Sequence, residues 1–444
     1  MNTNKIYHFT GIKGSGMSAL ALILHGKGER VQGSDKPDYF FTQKGLEDAH
    51  IPLYDFNEAT LTENHIVIAG NAYSDEHVEL VAAKKAGAEI IRYHNFLGEL
   101  IKNYTSIAVT GSHGKTTTTG LLSHVLKKLK PTSYLIGDGT GFGHENANYF
   151  VLEACEYRRH FHAYSPDYAI MTNVDFDHPD YYHHIEDVYN AFETFATQVQ
   201  KTVVACGEDK YLKRLSQVKD VFYYGFSDDN HMVAKHIQRD TQGATFDAYV
   251  NGTLYGTFYV PVYGQHNVLN TLAVISICYL EGFSAEEVAD AIRTFSGVKR
   301  RFSEKTVGDI TVIDDYAHHP SEIFATLDAI HQKYPEKEVV VVFQPHTFTR
   351  TVALLEEFAE VLSVADTVYL CEIFASAREK EGNITIQDLA DKITKEVNIL
   401  DSKNLSKLLN YHDAVIAFMG AGDDVYTISQ QYVNLLGELQ LNKQ

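Results

Sequence analysis

Apolar and polar positions along this chain repeat in the order of apolar strand, glycine-rich turn and amphipathic helix. The order is clearest in "KIYHFTGIKGSGMSALALILHGKGERVQGSD", which predicts a strand over 5–10, a helix over 17–27 and a second strand from Val31. Further apolar runs of strand length occur at 65–70, 88–93, 149–154, 168–174, 201–207, 338–345, 367–374 and 414–423. Strands that alternate with helices in this way are typical of parallel α/β sheets.

Residues 221–262 follow a different pattern. Their alternating, aromatic-rich sequence predicts antiparallel strands, with a hairpin turn at Asn251-Gly252. A new strand–turn–helix order starts at "SIAVTGSHGKTTTTG" and another near Gly297. The sequence therefore predicts three α/β domains, over 1–105, 106–297 and 298–444.

Composition limits the class of protein. The chain of 444 residues is too long for a single hydrophobic core. Its composition, 44% hydrophobic and 22% charged residues, is ordinary for a globular protein. No apolar run approaches the roughly 20 residues of a membrane helix, and the N-terminus lacks the order of a signal peptide. The four cysteines lie far apart without a CxxC pair, as in reduced cytosolic proteins, so we expect a cytoplasmic location.

The formal net charge of −20 argues against nucleic acid and anionic membranes as partners. An anionic substrate must then be held by local basic groups, by helix N-termini or by metal ions.

The stretch "AVTGSHGKTTTTG" (108–120) predicts a phosphate-binding loop between a strand and a helix. It is shorter than the Walker A pattern, which would need glycine where Val109 stands. Lys115 would supply a charge for the β and γ phosphates, and Thr116 is the usual Mg²⁺ contact of such loops. The alternative is a glycine-rich turn that only lets the strand and the helix pack closely.

A second glycine-rich loop, "GIKGSG" (11–16), departs from the dinucleotide fingerprint because Lys13 replaces its second glycine. The helix N-terminus can still receive a diphosphate, and Asp35 could bond a ribose hydroxyl. A nicotinamide cofactor, a structural turn and a diphosphate of another kind all stay open at this point.

Polar side chains follow several strands of the second and third units. Glu153 ends the strand over 149–154, where it could bind Mg²⁺, cap a helix or form an ion pair. "TNVDFDHPDYYHH" (172–184) could supply a second Mg²⁺ contact, whereas its spacing fits zinc poorly. "GVKRRF" (297–302) could be a solvated linker or an arginine clamp on a phosphate.

Taken together, seven stretches resemble the Mur ligase family in its motif order, over nearly the full chain. They are "TGSHGKTTT", "EACEYRRHF" followed by "TNVDFDHPDYY", "GQHNVLN", "GVKRRF", "DDYAHHP", "FQPHTFTRT" and "SAREKEG". The second of these is similar to the form seen in Gram-positive members. The resemblance implies a Rossmann-like UDP-binding domain, a central ATPase-type domain with the phosphate loop, and a Rossmann-like C-terminal domain.

The resemblance also implies a role for individual residues. Lys115, Glu153, His178 and Arg301 would be catalytic, and Thr116, Glu153 and His178 would ligate two Mg²⁺ ions. The ATP-binding residues would be Gly111, Ser112, His113, Gly114, Lys115, Thr116, Thr117, Asn267, Asn270 and Asp315. The UDP-sugar would contact Gly14, Ser15, Gly16, Met17, Ser34 and Asp35, and the amino acid would contact His346 and Arg350.

The implied reaction joins L-alanine to the lactoyl carboxylate of UDP-N-acetylmuramate through an acyl phosphate, in peptidoglycan precursor synthesis. The alternative within the family is a recycling ligase that attaches a preformed murein peptide to the same sugar nucleotide. Outside it, a switch module with a phosphate loop would need neither Glu153 nor His178, and a dehydrogenase would need no phosphate loop. The expected assembly is a monomer or a homodimer.

Four features depart from the family pattern. Lys13 and Ala317 stand where glycine is usual, and Thr347 stands where a basic residue is usual. Some sister ligases have a carbamoylated lysine after the histidine, but no lysine occurs from Pro179 through Gln200. The sequence therefore predicts no carbamate.

Overall fold

A computed structural model of the chain describes residues 5–218, 220–375 and 379–441. Three β-sheets follow one another along the sequence, which confirms the predicted three-part α/β architecture. Within the part of the chain that the structure describes, no helix is both long enough and apolar enough to cross a membrane.

The N-terminal sheet has five parallel strands in the order β3-β2-β1-β4-β5, with β1 at the point where the strand order reverses. Its strands are β1 Ile6–Thr10, β2 Arg30–Asp35, β3 Leu53–Asp55, β4 His65–Ala69 and β5 Glu89–Arg92. Its helices are α1 Ser15–Gly26, α2 Gln43–Asp48, α3 Val78–Lys85 and α4 Tyr93–Ile101. Ligands of open α/β sheets bind beyond the carboxyl ends of the strands at such a reversal, which is where the loop over 11–14 lies.

The middle sheet has ten strands in the order β15-β14-β13-β12-β11-β10-β6-β9-β7-β8. The strands are β6 Thr105–Thr110, β7 Thr132–Leu135, β8 Gly141–Phe142, β9 Tyr149–Glu153, β10 Tyr168–Met171, β11 Thr202–Cys206, β12 Val221–Gly225, β13 Met232–Asp240, β14 Gly243–Val250 and β15 Thr253–Val260. The helices are α5 Lys115–Leu129, α6 Ile185–Ala196, α7 Gln265–Leu280 and α8 Ala285–Ile292, with 3₁₀ helices at Tyr157–Ala163 and Leu212–Gln217.

The C-terminal sheet has six strands in the order β16-β17-β21-β18-β19-β20, of which only the edge strand β16 is antiparallel. The strands are β16 Ser303–Val307, β17 Ile310–Asp315, β18 Glu338–Phe343, β19 Thr367–Leu370, β20 Glu396–Ile399 and β21 Ala414–Met419. The helices are α9 Pro320–Lys333, α10 Phe348–Ala353, α11 Leu355–Leu362, α12 Ile386–Ala390 and α13 Asp423–Leu441, with a 3₁₀ helix at Leu405–Asn410.

Residues 221–262 confirm one part of the prediction and correct another. The hairpin between β14 and β15 turns at Asn251-Gly252, and both residues have positive φ. The first strand of the region, β12, pairs in parallel with both β11 and β13. The connections over 207–220 and 226–231 each return the chain in the same direction, so the antiparallel meander begins only with the pairing of β13 and β14.

The N-terminal and middle sheets share one apolar core, whereas the C-terminal sheet has its own. Helix α1 packs on the middle sheet, along β8, where two glycines leave the main chain bare. A Cβ on Gly141 would collide with the carbonyl of Ala19, and one on Gly143 with the carbonyl of Ile23. From the other side, a Cβ on Gly26 would lie 3.1 Å from the carbonyl oxygen of Gly143. Main chain therefore meets main chain at this seam, called here the glycine seam.

Candidate active site

The loop between β6 and α5 has a shape that requires glycine at two positions. Gly111 has φ +144° and Gly114 has φ +82°, both in the region that L residues rarely adopt. A Cβ on Gly111 would collide with the side chain of Thr172, and one on Gly114 would lie 3.0 Å from Oδ1 of Asn270. Neighbouring elements therefore press on the loop from two sides.

The segment that follows β10 holds the loop in place. Asn173 accepts from Ser112 N at 3.1 Å through its carbonyl and from His113 N at 2.8 Å through Oδ1. The carbonyl of His113 accepts from Thr172 Oγ1 at 2.6 Å and from Asn173 Nδ2 at 3.1 Å. These bonds fix the loop before any ligand binds.

Helix α5 begins directly after the loop, so its first N–H groups lack intrahelical acceptors and form a site for anions. These groups belong to Lys115, Thr116 and Thr117, which the sequence assigned to the phosphate loop. The loop and the first helical turn thus have the geometry of a phosphate cradle.

The ammonium of Lys115 turns back onto this loop. Nζ donates to the carbonyls of Gly111 and Ser112, the latter at 3.0 Å, and to Glu156 Oε2 at 2.9 Å. Burial lowers the pKa of Lys115, but the nearby carboxylates, Glu156 foremost, outweigh burial and the net pKa is raised. Sequence reasoning missed Glu156, although its place three residues after Glu153 in "EACEYRRHF" was a usable signal.

Glu153 ends β9 and lies beside β6 in the sheet, so its carboxylate is next to the loop. Gly137 N donates to Glu153 Oε2 at 2.9 Å. Burial raises the pKa of Glu153, and Lys115, Thr116 and Arg301 partly offset that rise. The structure thus brings three other predicted site residues close to the carboxylate of Glu153.

His178 approaches the same place from the segment after β10. Its φ of +56° is in the left-handed region, which is uncommon for a residue other than glycine. Its Nε2 lies 3.5 Å from Glu156 Oε1, and its ring packs on Tyr157. Glu156 therefore lies between Lys115 and His178.

The donor set at this point fits a divalent cation. Glu156 lies between Lys115 and His178, and Glu153 lies near Lys115 and the hydroxyl of Thr116. Oxygen-rich ligands with excess negative charge suit Mg²⁺. Among the described residues, Glu156 Oε1 is a buried acceptor without a hydrogen-bond donor.

A second cluster with metal-ligand chemistry is better described as an ion pair. Potential ligand atoms of His113, Asp175 and His319 lie within 4.8 Å of one another. His113 Nε2 lies 3.0 Å from Asp175 Oδ2, and Nδ1 lies 3.4 Å from Glu322 Oε1. Burial lowers the pKa of His113, but these two carboxylates raise it overall to about 9. In the structure these groups therefore form ion pairs with one another.

A cavity of about 700 Å³ opens between the middle and C-terminal sheets. Many residues assigned to the nucleotide line it, namely His113, Gly114, Thr116, Thr117, Asn267, Asn270, Arg301 and Asp315. The two asparagines face each other on α7, where Asn270 Nδ2 donates to Asn267 Oδ1 at 3.1 Å. Volume and lining both suit a nucleotide.

Arg301 and Asp315 enter the cavity from the C-terminal unit. Arg301 packs over the ring of Tyr316, with NH1 3.7 Å from Glu322 Oε1. The carboxylate of Asp315 accepts from the backbone N–H groups of Phe302 and Ala317, both at 2.8 Å. Asp315 therefore fixes the chain that carries Arg301, and its contact with adenosine stays a prediction.

Arg350, assigned to the amino-acid site, is bound to the middle unit. Its Nε and NH2 donate to Asp177 Oδ1 at 2.9 and 2.7 Å, and NH1 donates to the carbonyl of His346 at 3.1 Å. Burial raises the pKa of Asp177, but Arg350 outweighs it and holds the pKa well below its usual range. The predicted contacts of His346 and Arg350 with an amino acid stay predictions. Residues 376–378, the start of "SAREKEG", lie outside the described residues.

The N-terminal loop has an internal clamp at Lys13. Its Nζ donates to the carbonyls of Lys36 and Asp38 at 2.7 and 2.8 Å. Asp35 accepts from the backbone N–H groups of Lys13 and Lys36 at 2.7 and 2.8 Å. The lysine that breaks the glycine fingerprint thus ties the loop to residues 36–38.

Other residues assigned to the UDP-sugar have different surroundings. The stretch from Gly14 to Met17 forms the N-terminal cap and first turn of α1, as a diphosphate site requires. Ser34 is fully buried, and its hydroxyl donates to Glu79 rather than facing the loop. Its assignment to the ligand stays a prediction that its side chain does not support.

Tyr93 lies between the two glycine-rich loops. A Cβ on Gly16 would lie 2.6 Å from the Tyr93 hydroxyl. Burial raises the pKa of that hydroxyl, and the charge of Glu153 raises it further. Tyr93 thus lies against the start of α1, and the charge of the carboxylate beside the phosphate cradle acts on its hydroxyl.

Comparison with protein-family models gives three matches in succession. The model for the Mur ligase family, catalytic domain, matches residues 6–105. The model for the Mur ligase middle domain matches residues 109–278, and that for the Mur ligase, glutamate ligase domain, matches residues 300–425. The three together cover most of the chain.

Individual proteins are similar over the whole length. A UDP-N-acetylmuramate–L-alanine ligase of Levilactobacillus brevis is 56% identical over 441 residues, 99% of both chains. The UDP-N-acetylmuramate–alanine ligase structure of Thermotoga maritima has a TM-score of 0.82 at 29% identity and covers 98% of this chain and 99% of that one. A murein peptide ligase structure of Psychrobacter arcticus, with the same coverage, has a TM-score of 0.70 at 24% identity and shows the fold alone.

Proposed function

Because the chain belongs to the Mur ligase family, we propose that it joins L-alanine to the lactoyl carboxylate of UDP-N-acetylmuramate, with ATP as the second substrate. The name of its relative in Levilactobacillus brevis gives the same two compounds, UDP-N-acetylmuramate and L-alanine. The product is a peptidoglycan precursor, and the bond formed is an amide.

The observation that carries the proposal is the meeting of two ligand loops at Glu153. The phosphate cradle lies on one side of this carboxylate, and Tyr93 links its other side to the start of α1. A ligase of this kind must bring the carboxylate of one substrate to the γ-phosphate of the other. The nearness of Tyr93 to the start of α1 and the effect of the Glu153 charge on its hydroxyl support this arrangement.

The first chemical step sets one anion against another. The substrate carboxylate attacks the γ-phosphate, so the protein must neutralise charge on the phosphate oxygens. Lys115 and the N–H groups at the start of α5 would hold the phosphates, and Arg301 would approach from the C-terminal unit. Thr116, Glu153 and His178 would hold Mg²⁺, which lowers the charge repulsion when bound.

The second step consumes the acyl phosphate. The free amine of L-alanine attacks the acyl carbon, the C–O bond to phosphate breaks, and inorganic phosphate leaves as the amide forms. Water would hydrolyse the same intermediate, so the site must close around it. The contacts of His113 with Glu322 and of Asp177 with Arg350 draw the middle and C-terminal units together at this place.

The experiment is phosphate release from ATP and Mg²⁺ in the presence of UDP-N-acetylmuramate. L-Alanine, a murein tripeptide and no acceptor are added in turn. We expect release only with L-alanine. Release with the tripeptide would favour the recycling ligase, and release without the sugar nucleotide would overturn the ligase assignment.

A cytoplasmic location completes the proposal. The four cysteines are free thiols in the structure, as in a reducing compartment. Fractionation of cells, with activity measured in each fraction, tests the location.

A further inference from the structure

Glu156 is a charged group whose partners must change when the nucleotide binds. Its side chain is buried, with Oε2 2.9 Å from Lys115 Nζ and Oε1 3.5 Å from His178 Nε2. The ammonium of Lys115 therefore balances the charge of this carboxylate inside the protein. A buried carboxylate that loses its cation without replacement is strongly destabilising.

Lys115 cannot serve the nucleotide and keep all its present partners. Its ammonium has three protons, and they are directed at Gly111, Ser112 and Glu156. Phosphate oxygens that recruit this ammonium must displace at least one of these acceptors. Nucleotide binding therefore shares the cation between the phosphates and its present acceptors, which weakens the pairing with Glu156, and it also brings further negative charge close to Glu156.

A replacement is available on the other side of the carboxylate. Oε1 faces the imidazole of His178, which the proposed function assigns to Mg²⁺. Among the described residues, this oxygen has no hydrogen-bond donor of its own. A positive charge on that side would pair the carboxylate once the lysine has turned to the phosphates.

We propose that Glu156 is a positioning residue that couples nucleotide binding to Mg²⁺ binding. Its carboxylate binds Lys115 before the nucleotide arrives. Afterwards its negative charge is balanced by Mg²⁺ on the side of His178. The inference rests on the proposed function for the nucleotide and the metal, and it adds a residue that the family resemblance did not assign.

The proposed coupling predicts that removing the charge of Glu156 tightens nucleotide binding in the absence of Mg²⁺, which a merely structural role would not do. Without Mg²⁺, the nucleotide leaves Glu156 uncompensated, so it binds weakly to the wild-type protein. In Glu156→Gln the amide can still accept from Lys115, but it carries no charge that needs compensation. Nucleotide alone should then bind more tightly, and Mg²⁺ should add less.

The experiment measures the Kd of a non-hydrolysable ATP analogue by calorimetry, in EDTA and in Mg²⁺. The Kd in EDTA divided by the Kd in Mg²⁺ is compared among wild type, Glu156→Gln and Glu145→Gln. Glu145 is an exposed residue of the middle unit, and its substitution removes the same charge. For Glu156→Gln we expect the ratio to fall about tenfold or more, chiefly through tighter binding in EDTA. For Glu145→Gln we expect the wild-type ratio. An unchanged ratio in Glu156→Gln, or equal weakening under both conditions, would overturn the inference.

Two further measurements keep the result decisive. Glu156→Asp retains the charge and should keep the wild-type ratio within about threefold, and a tenfold fall in this variant would contradict the coupling. Because coupling is reciprocal, the analogue should raise the affinity for Mn²⁺, followed by electron paramagnetic resonance, by a factor that is smaller in Glu156→Gln. If wild type binds no nucleotide, the proposed function fails. If it binds with a ratio that Glu156→Gln does not alter, only the coupling fails.

Discussion

Asp177 and Arg350, 173 positions apart in sequence, form a buried ion pair that joins the middle unit to the C-terminal unit. Both side chains are more than nine-tenths buried, and both bonds go to the same carboxylate oxygen. The pair lies beside His178, so it positions the active site as well as the two units.

Asp177→Asn should destabilise the protein because Arg350 would stay buried without its charge partner. We expect a loss of about 3 to 5 kcal/mol in the free energy of unfolding, measured by urea denaturation. Asp48→Asn, which removes one partner of the exposed pair between Lys44 and Asp48, should change it by less than about 1 kcal/mol. Equal effects of the two substitutions would show that burial of the pair does not matter.

His113 gives the protein a pH-dependent contribution to stability. Its pKa is raised to about 9, so folding favours the protonated ring. The contribution is complete below about pH 6.5 and is lost as the pH rises through about 9. We expect His113→Gln to cost about 2 to 3 kcal/mol at pH 6 and much less at pH 9.5, from urea denaturation at both values. A difference that does not shrink with rising pH would mean that the ring is neutral in the fold.

Lys115→Met should abolish turnover and also destabilise the protein. The phosphates lose their cation, which we expect to cost about a thousandfold or more in kcat. Glu156 loses its partner, which should cost about 3 to 5 kcal/mol in the free energy of unfolding. The double variant Lys115→Met with Glu156→Gln should regain most of the stability and none of the turnover. If Glu156→Gln does not restore the stability that Lys115→Met removes, the ion pair between Lys115 and Glu156 does not account for the loss.

Lys13→Met should weaken binding of the sugar nucleotide alone. The substitution keeps an apolar stem but removes the two hydrogen bonds that hold residues 36–38. We expect the KM for UDP-N-acetylmuramate to rise about tenfold, with the KM for ATP unchanged. Lys44→Met, on an exposed helix face, serves as the control. A matching rise for both substrates would show that the effect of Lys13 is not confined to the N-terminal loop.

Local patterns predicted much of the fold and the loop chemistry. The run "IAVTGSHGKT" sets a buried strand, two glycines and a helix start in succession, and each follows from short-range preferences. The hairpin at Asn251-Gly252 is equally local. These parts could be predicted because their partners are near in sequence.

Other features were out of reach because they depend on distant partners. Whether Arg350 contacts a substrate or Asp177 is decided by how two units pack, and nothing near Arg350 indicates the outcome. Lys13 replaces the usual glycine, and the sequence did not indicate why. The structure shows that its ammonium binds the carbonyls of Lys36 and Asp38, which are distant in sequence. Glu156 had a signal in sequence, yet its role depends on where Lys115 and His178 meet.

The glycine seam between α1 and β8 holds the two glycine-rich loops, before α1 and before α5, at a fixed distance from each other. Side chains can change rotamer and absorb a shift, whereas carbonyl groups that touch Cα atoms cannot. The distance between the two glycine-rich loops is therefore set by main-chain contact, and we expect Gly141→Ala to increase it. In chimaeras that exchange N-terminal domains between ligases, we expect activity to depend on whether the glycine seam is preserved. This contact would matter more than any single ligand contact.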